Sequence, residues 1–404
     1  MIPGKNYSFL DIILAMAFTG LGFWSFSLFQ SPLNHELNPL FDANQYQKAY
    51  YYFRGDSSHY SVNFPFSVRL FVPWLAAQLP GQSMMGNFKM VNLYFGLSWI
   101  PIWFVLGQKL NLERYKIWIG WFWISFHWVG VLKANLSDPI TVDVPLYTFQ
   151  LLLLWLLIEK RKTIWLLLIL GPIATLQKES MLAILLILTL FPGLKWLIEE
   201  KKEAFFALLG AFILSWVSLK TATLIFPQAN EGKNAIINIL NYTAGLFGHP
   251  DLILRWICSI TLAYGGFLWA GIWNSKKLKA KYGEVIIPLV VVYVFFSLFA
   301  GGDFTRIAFL GSTFVMLFLL DALPLNFKQW VLLFIISLPA MRLTGFLPDG
   351  GAQFDQWKTW YPEFAPWNWL VIYLGYTLLL AWVSWKWFRI KNGNYSTSTS
   401  SSNA

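Results

Sequence analysis

Ionisable residues that could do acid–base chemistry are concentrated in a few polar segments between long apolar runs. The first of these segments, residues 31–89, contains Asp42 in FDANQY, His59 in RGDSSHY and Arg69 in PFSVRLFVPWLAAQLP. A carboxylate beside a membrane can take the proton of an attacking hydroxyl group, which is the role of a general base. Asp42 is therefore the candidate base, although Asp is also a favoured N-cap and could serve only to begin the helix that follows.

His59 and Arg69 have two interpretations each. His59 could act as a second acid or base, or it could be polar surface in a loop. Arg69 could hold a phosphate group, or its head group could reach out to lipid head groups while its stem stays in apolar surroundings. The segment around Arg69 is bounded by Pro65 and Pro80 and has an apolar face, which predicts an interfacial helix.

Asp138 and Asp143 form a second acidic pair. Five residues apart on a helix, they would point about 140° away from each other. Pro139 follows Asp138 directly and breaks a helix, so we expect a loop that lets the two carboxylates converge. Together with Asp42 they could bind a divalent metal ion, an interpretation that we do not favour.

Two further charged pairs lie at the ends of apolar runs: Lys178-Glu179 and the Asp303…Arg306 pair in DFTR. Ionisable groups next to a membrane are costly and usually face a cavity or a partner. Arg306 could clamp a phosphate, because a guanidinium group offers two parallel donors. The alternative is a structural ion pair with Asp303.

The elements that must position these residues are apolar. The chain of 404 residues is 57% hydrophobic, 19% aromatic and 12% charged, about half the usual charged fraction. Runs long enough to cross a membrane recur along it, so we predict an all-α, polytopic bundle in one domain, residues 1–395, with a disordered tail, 396–404. The twelve predicted spans are Phe9–Phe29, Met90–Leu110, Ile117–Leu132, Val144–Ile158, Thr163–Leu176, Met181–Ile198, Ala204–Phe226, Leu252–Trp273, Val285–Ala300, Ile307–Leu323, Trp330–Phe346 and Trp369–Phe388.

Loop charges orient these spans. Lys and Arg are concentrated in one set of short loops, which places that set and both termini in the cytoplasm. This clustering also argues against nucleic acid as the reason for the net charge of +10. The pattern holds only if the chain reverses tightly at Lys178-Glu179. The acids then lie outside, together with the last loop, residues 347–368, and its Trp357, Trp360 and Tyr361.

Absent motifs narrow the function. The sequence has no P-loop, GxGxxG, HExxH, GxSxG or CxxC motif, which argues against a nucleotide-driven pump, a zinc protease and a redox protein. A single cysteine, Cys258, excludes a disulfide framework. His127 lies in an apolar run and is predicted to be a core residue. No metal or other cofactor is assigned.

The order of these features resembles the GT-C superfamily of multi-pass glycosyltransferases that use lipid-phosphate-linked sugars. An acid follows the first span, and PFSVRLFVPWLAAQLP is similar to a Pro-aromatic-x-x-Arg…Pro-x-Leu-Ala stretch of bacterial members. Asp138-Pro139, Lys178-Glu179 and a late Arg, Arg306, follow in the expected order. The paired acids found in the first loop of several branches are missing.

The resemblance implies that Asp42 is the catalytic base and that Arg306, with Arg69 and Lys178, lies near the donor phosphate. The reaction would move a sugar, with inversion, from a polyprenyl-phosphate donor to a glycan, lipid or protein acceptor outside a bacterial plasma membrane. Glu179, Asp138, Asp143 and His59 complete the candidate substrate site.

Three other functions stay open. A lipid-linked glycan polymerase or ligase shares the body plan, but it typically uses Arg and His in a large late loop, and residues 347–368 contain neither. A secondary transporter or lipid flippase predicts inverted repeats and charges near the membrane midplane, and the sequence has neither. A non-catalytic scaffold of a membrane complex is opposed only by the clustering of the outside acids.

Overall fold

The computed structural model describes residues 8–37, 41–81, 83–159, 162–227, 229, 245, 250–299 and 302–390. In these ranges the regular elements are helices and no β-strand occurs, which confirms the all-α prediction. The predicted tail, 396–404, lies outside the described residues. In chain order the α-helices are α1 Phe9–Ser27, α2 Ala43–Arg54, α3 Phe71–Gln78, α4 Met84–Lys109, α5 Arg114–Phe126, α6 Val131–Ser137, α7 Val144–Glu159, α8 Leu167–Gln177, α9 Ser180–Leu188, α10 Leu194–Ile198, α11 Lys202–Ile225, α12 Pro250–Trp273, α13 Gly283–Phe299, α14 Phe304–Leu310, α15 Ser312–Ala322, α16 Phe327–Met341, α17 Phe354–Lys358 and α18 Trp367–Phe388.

Membrane-spanning capacity is unevenly distributed among these helices. Within the described ranges, six helical segments are long and apolar enough to cross a membrane, or seven if the bent pair α14–α15 counts as one span. One of the six is Ser180–Ile198, in which the π-helical turn Thr189–Gly193 joins α9 to α10. Four further apolar helices are shorter, with 10–17 residues. A helical segment overlaps each of the twelve predicted spans, but the count of twelve stays a prediction.

The chain reverses at Lys178, as the charge pattern requires. Lys178 has an extended backbone (φ −157°, ψ 124°) between α8 and α9. A Cβ atom placed on Gly171 in α8 would lie 3.2 Å from Leu185 Cδ1 in α9. In one straight helix these residues would be about 21 Å apart along the axis. The two helices therefore form a hairpin with Lys178 and Glu179 at its tip.

The predicted span Leu252–Trp273 is interrupted. Gly265 has φ 57° and ψ −146°, a conformation that glycine adopts readily because it has no Cβ. Tertiary side chains satisfy the backbone groups that this break releases: Trp123 donates to the Ala263 carbonyl at 3.1 Å, and His127 contacts the Leu262 carbonyl at 2.9 Å. Gly266 N–H donates to Ser337 Oγ at 2.9 Å. The core role predicted for His127 is thereby confirmed.

The predicted span Ile307–Leu323 is also broken. Helices α14 and α15 meet at an angle of 63° around Gly311. A Cβ atom there would lie 2.4 Å from Tyr293 Cγ, so only glycine allows this close approach. Gln150 bridges the break by donating to the Leu310 carbonyl at 3.0 Å and accepting from Thr313 Oγ1 at 2.6 Å. The bend aims the short helix that carries Arg306.

The first and last loops are joined to each other. Gln30 exchanges two hydrogen bonds with the backbone of Leu347, at 2.9 and 3.0 Å. Asn34 N–H donates to Asp349 Oδ1 at 2.8 Å, and Leu33 N–H donates to the Ser137 carbonyl at 2.7 Å. The bonds of Gln30 and Asn34 join residues about 315 positions apart in the sequence, and the bond of Leu33 fixes the first loop to the C-terminal end of α6. The joined loops cover the space beneath them.

The predicted interfacial helix corresponds to α3 and the 3₁₀ turn Phe66–Val68. Small residues of α3, such as Val72 and Ala76, are buried, while Trp74 is 46% exposed. Trp74 therefore faces outward, whereas Phe71 and Leu75 are partly buried against the core, and α3 packs against α2 and α4.

Candidate functional site

A cavity of about 270 Å³ lies beneath the joined loops. Its walls come from four parts of the chain that are distant in sequence: the start of α2, the α6–α7 connection, α14 and the last loop. The ionisable residues that line it are Asp42, Asp138, Asp143, Asp303 and Arg306. Four of these were chosen from the sequence as site residues, and Asp303 had been considered only as a partner for Arg306.

Asp42 begins α2 without capping it through its side chain. Its backbone carbonyl accepts from Gln45 N–H at 2.9 Å, but its carboxylate makes no cap hydrogen bond. Instead, Asp42 Oδ2 accepts from Arg306 Nη2 at 2.9 Å, across 264 residues of sequence. The capping alternative therefore does not account for this side chain.

Arg306 is the centre of the polar cluster. Besides Asp42, it pairs with Asp303 (Nη1–Oδ2, 3.3 Å) and with Asp143 (Nε–Oδ2, 3.1 Å). Nε has no hydrogen-bond acceptor among the described residues, so its contact with Asp143 is an ion pair whose angle does not suit a hydrogen bond. The predicted pair with Asp303 exists, but it is one of three. The side chain is 27% exposed, so a ligand in the cavity can reach it.

Asp143 links the cavity to the α8–α9 hairpin. Its Oδ1 accepts from Lys178 Nζ at 2.5 Å, and both side chains are about nine-tenths buried. Burial opposes ionisation of Asp143, but Lys178 and Arg306 outweigh it and hold the pKa of this carboxyl group below its usual range. Asp143 is thus a fixed negative charge between two basic groups.

Arg69 and Glu179 pair with each other behind the cavity. Arg69 donates from Nε and Nη2 to the two Glu179 oxygens at 2.7 and 2.5 Å, and from Nη1 to Tyr46 Oη at 2.7 Å. Burial disfavours the Glu179 carboxylate, yet the Arg69 guanidinium holds its pKa below the usual value. Neither the predicted phosphate contact nor the lipid contact accounts for this Arg69 geometry, because all three of these nitrogens already donate.

Asp138 differs from the other acids of the cluster. Its Oδ1 is shielded from solvent and has no hydrogen-bond partner in the part of the chain that the structure describes. Burial raises the pKa of Asp138 to about 7, with Arg306 opposing the rise and Asp42, Asp143 and Asp303 adding to it. The expected convergence of Asp138 and Asp143 occurs, since both line the cavity.

Aromatic side chains form the wall beneath the last loop. Trp357 contacts Tyr361 (ring centroids 4.5 Å apart), stacks on Phe364 (5.8 Å) and meets Phe41 edge-on (5.6 Å). Trp357 and Tyr361 line the cavity. Trp360 does not line it and packs instead on the Arg342 guanidinium at 4.8 Å.

Glu363 anchors this aromatic loop to the helix that carries Arg306. It accepts from Thr305 N–H and Thr305 Oγ1, both at 2.9 Å, and from Ser259 Oγ at 2.7 Å. Burial raises the pKa of Glu363 to about 7, against the effect of these hydrogen bonds. Glu363 lies in the last loop, and no local sequence pattern predicts this anchoring role.

His59 is not brought to this site. It is exposed in the loop after α2, and its backbone carbonyl accepts from Ser57 Oγ at 3.0 Å. Phe41 and Trp128 line the cavity although the sequence does not predict it, because neither belongs to a polar motif. The described residues contain no group of three or more His, Cys, Asp or Glu side chains placed to hold a metal ion.

Comparison of the chain with protein-family models, with curated proteins and with solved structures found no match. The function therefore has to be inferred from the site.

Proposed function

We propose that this protein is a membrane glycosyltransferase that moves a sugar from a polyprenyl-phosphate donor to a hydroxyl group of an extracytoplasmic acceptor. The observation that carries the proposal is the contact between Asp42 and Arg306 at a cavity roofed by the first and last loops. This contact supports the proposal because Asp42 is the candidate base and Arg306 is the candidate phosphate-binding group. The resemblance to the GT-C superfamily, drawn from the order of motifs, assigns the same two residues these roles.

The geometry suggests how the two roles are coupled. A donor phosphate that binds Arg306 replaces Asp42 as the partner of one guanidinium edge, because Nη2 can serve either acceptor. The Asp42 carboxylate is then available to the acceptor hydroxyl group. The acceptor oxygen attacks the anomeric carbon, its proton passes to Asp42, and the bond to the phosphate oxygen breaks with inversion. Arg306 stabilises the charge that develops on the departing lipid phosphate.

The proposal includes a location and a topology. The long apolar helices are compatible with a multi-pass membrane protein. We place the chain in a bacterial plasma membrane with twelve spans, both termini in the cytoplasm and the cavity outside, because the basic residues are concentrated in the loops opposite the cavity.

The two broken helices favour a second candidate, a secondary transporter, since transporters bind substrates at interrupted spans. In transporters the carbonyls released at such breaks coordinate the substrate or its ion. Here the Ala263 and Leu262 carbonyls are engaged by Trp123 and His127. The Leu310 carbonyl is engaged by Gln150. This satisfaction by protein groups argues for a structural role of the breaks.

Sugar transfer by the purified chain in detergent tests the proposal. A panel of polyprenyl-phosphate sugars is supplied with candidate acceptors, and release of polyprenyl phosphate is measured for the wild type, Asp42→Asn and the control Asp56→Asn. Asp56 lies in the same loop and is 55% exposed at the side chain. We expect release from at least one donor, lost in Asp42→Asn and retained in Asp56→Asn.

Turnover that survives in Asp42→Asn would remove Asp42 as the base. Absence of turnover with every donor, together with solute flux in liposomes, would replace the transferase by a transporter.

A further inference from the structure

The cavity has more acids than bases. Asp42, Asp138, Asp143 and Asp303 line it, while Arg306 is the one basic side chain among its described lining residues. Lys178 reaches the cluster from behind through Asp143. Arg69 and Glu179 form a separate, mutually neutral pair. A phosphate entering such a site meets a net negative field, so a positive group bound at the same time would favour its binding.

Asp138 is the acid of this cluster that lacks a direct ion pair among the described residues. The Arg306 guanidinium is already shared by Asp42, Asp143 and Asp303 at 2.9–3.3 Å. Asp138 has no ion pair among the described residues, and its shielded Oδ1 has no hydrogen-bond partner there. A buried acceptor without a donor is costly, and an ionised one more so. A ligand that donates a charged hydrogen bond to Asp138 would remove this cost.

The aromatic wall supplies a second feature that suits a cation. Phe41, Trp357 and Tyr361 line the same cavity as Asp138 and contact one another. Aromatic faces attract ammonium groups, with tryptophan the strongest of them. The combination of a carboxylate and several rings is a common way to bind an amine. In the described part of the chain, no group of three or more His, Cys, Asp or Glu side chains is placed to hold a metal ion. A divalent ion here would therefore depend on water and substrate oxygens for its remaining ligands.

We propose that this cavity binds an ammonium group, carried by an amino sugar, between Asp138 and the aromatic wall around Trp357. As a statement about the transferred sugar it rests on the proposed function. As a statement about the cavity it stands on the lining residues alone. The ammonium group donates to Asp138, the adjacent sugar face lies against Trp357, and the added positive charge offsets the acids that surround the phosphate.

Three matched, water-soluble probes test this independently of sugar transfer. They are a methyl glycoside with a primary alkylamine, its N-acetylated form and its hydroxyl parent. Dissociation constants are measured by ligand-observed NMR with the full chain in detergent at about pH 8, above the pKa of about 7 to which burial raises Asp138 and below the pKa of a primary alkylamine. We expect the amine to bind about tenfold more tightly than the other two, the effect of one charged hydrogen bond with a cation–π contact.

Variants locate the effect. Asp138→Asn should bring the affinity ratio of amine to parent close to one, and Trp357→Leu should reduce it. The controls Asp56→Asn, in an exposed loop, and Trp24→Leu, on α1 and 62% exposed, should leave the ratio unchanged. Equal affinities of the three probes, or an unchanged ratio in Asp138→Asn, would overturn the proposal. So would a requirement for added Mg²⁺, abolished by EDTA, because it would identify a metal ion as the bound cation.

The two proposals can fail separately. Amine-selective binding without turnover of any lipid-phosphate sugar would contradict the transferase proposal and support the ammonium site. Turnover of neutral and amino donors at equal rates, with no selectivity among the three probes, would support the transferase proposal and contradict the ammonium site.

Discussion

The buried pair between Arg69 and Glu179 gives a quantitative test of how the first loop is held. Arg69 is 8% exposed and makes three hydrogen bonds, two of them to Glu179. In Glu179→Gln the side chain keeps its shape, but an NH₂ group faces one guanidinium nitrogen and the opposite charge is gone. Removing one partner of a buried pair costs about 3–5 kcal/mol. We expect about 3 kcal/mol, because the Glu179 side chain is 28% exposed and water reaches the gap.

The double variant Arg69→Met/Glu179→Gln separates the pair from its surroundings. Replacing both partners removes the uncompensated charge, so we expect the double variant to recover about 2 kcal/mol relative to the sum of the single variants. The free energy of unfolding is measured by reversible denaturation in mixed detergent. Asp355→Asn serves as the control, since Asp355 pairs with Lys358 at 2.7 Å but its side chain is 94% exposed. It should not change the unfolding midpoint.

Additive losses in the double variant would refute this reasoning. They would mean that Arg69 and Glu179 stabilise the fold through separate contacts, such as the Tyr46 hydrogen bond. The α2–α3 unit would then be held to the α8–α9 hairpin by apolar packing.

Three further substitutions test other parts of the structure. Asp138→Asn should raise the unfolding temperature more at pH 8 than at pH 4. Burial raises the folded-state pKa of Asp138 to about 7, above its unfolded value of about 4, so this carboxyl group costs stability progressively as the pH rises from about 4 to about 7. Gly311→Ala should lower the free energy of unfolding by about 1–3 kcal/mol, because its Cβ would overlap Tyr293. Gly20→Ala, inside α1 with open space around it, should not lower it in the same assay. Gln150→Leu should destabilise the chain by about 1–3 kcal/mol by leaving the Leu310 carbonyl unpaired, and a loss within experimental error would contradict the bridging role.

Part of the site could be predicted because charged residues are rare in an apolar chain, and those next to a membrane usually face a cavity or a partner. Asp42, Asp138, Asp143 and Arg306 were chosen in this way, and all four line one cavity. Proximity in the sequence suggested the pair of Arg306 with Asp303, and that pair is present. Local sequence patterns do not predict that the guanidinium group of Arg306 pairs with three carboxylates from three segments of the chain.

The sequence does not show the tertiary contacts that override local propensity. A run such as LAYGGFLW predicts a continuous span by hydropathy, yet the chain breaks at Gly265 because Trp123, His127 and Ser337 from other helices satisfy the released backbone groups. Arg69 offered two interpretations from the sequence, and its observed partner Glu179 lies 110 residues away. A hydropathy pattern contains no information about which distant residues contact Gly265 or Arg69.

The position of Arg306 is a property of the assembled structure. Helix α14 has seven residues, too few to be stable alone, so contacts from elsewhere must fix its direction. Glu363 accepts from Thr305 at its first turn, and Tyr264 and Gln150 donate to the Ala308 and Leu310 carbonyls at its last turn. One of these supports comes from the last loop, the same loop that supplies the aromatic wall. A ligand that displaces Trp357 or Tyr361 would therefore move the loop whose Glu363 holds the first turn of α14, so the aromatic wall and Arg306 share one structural support.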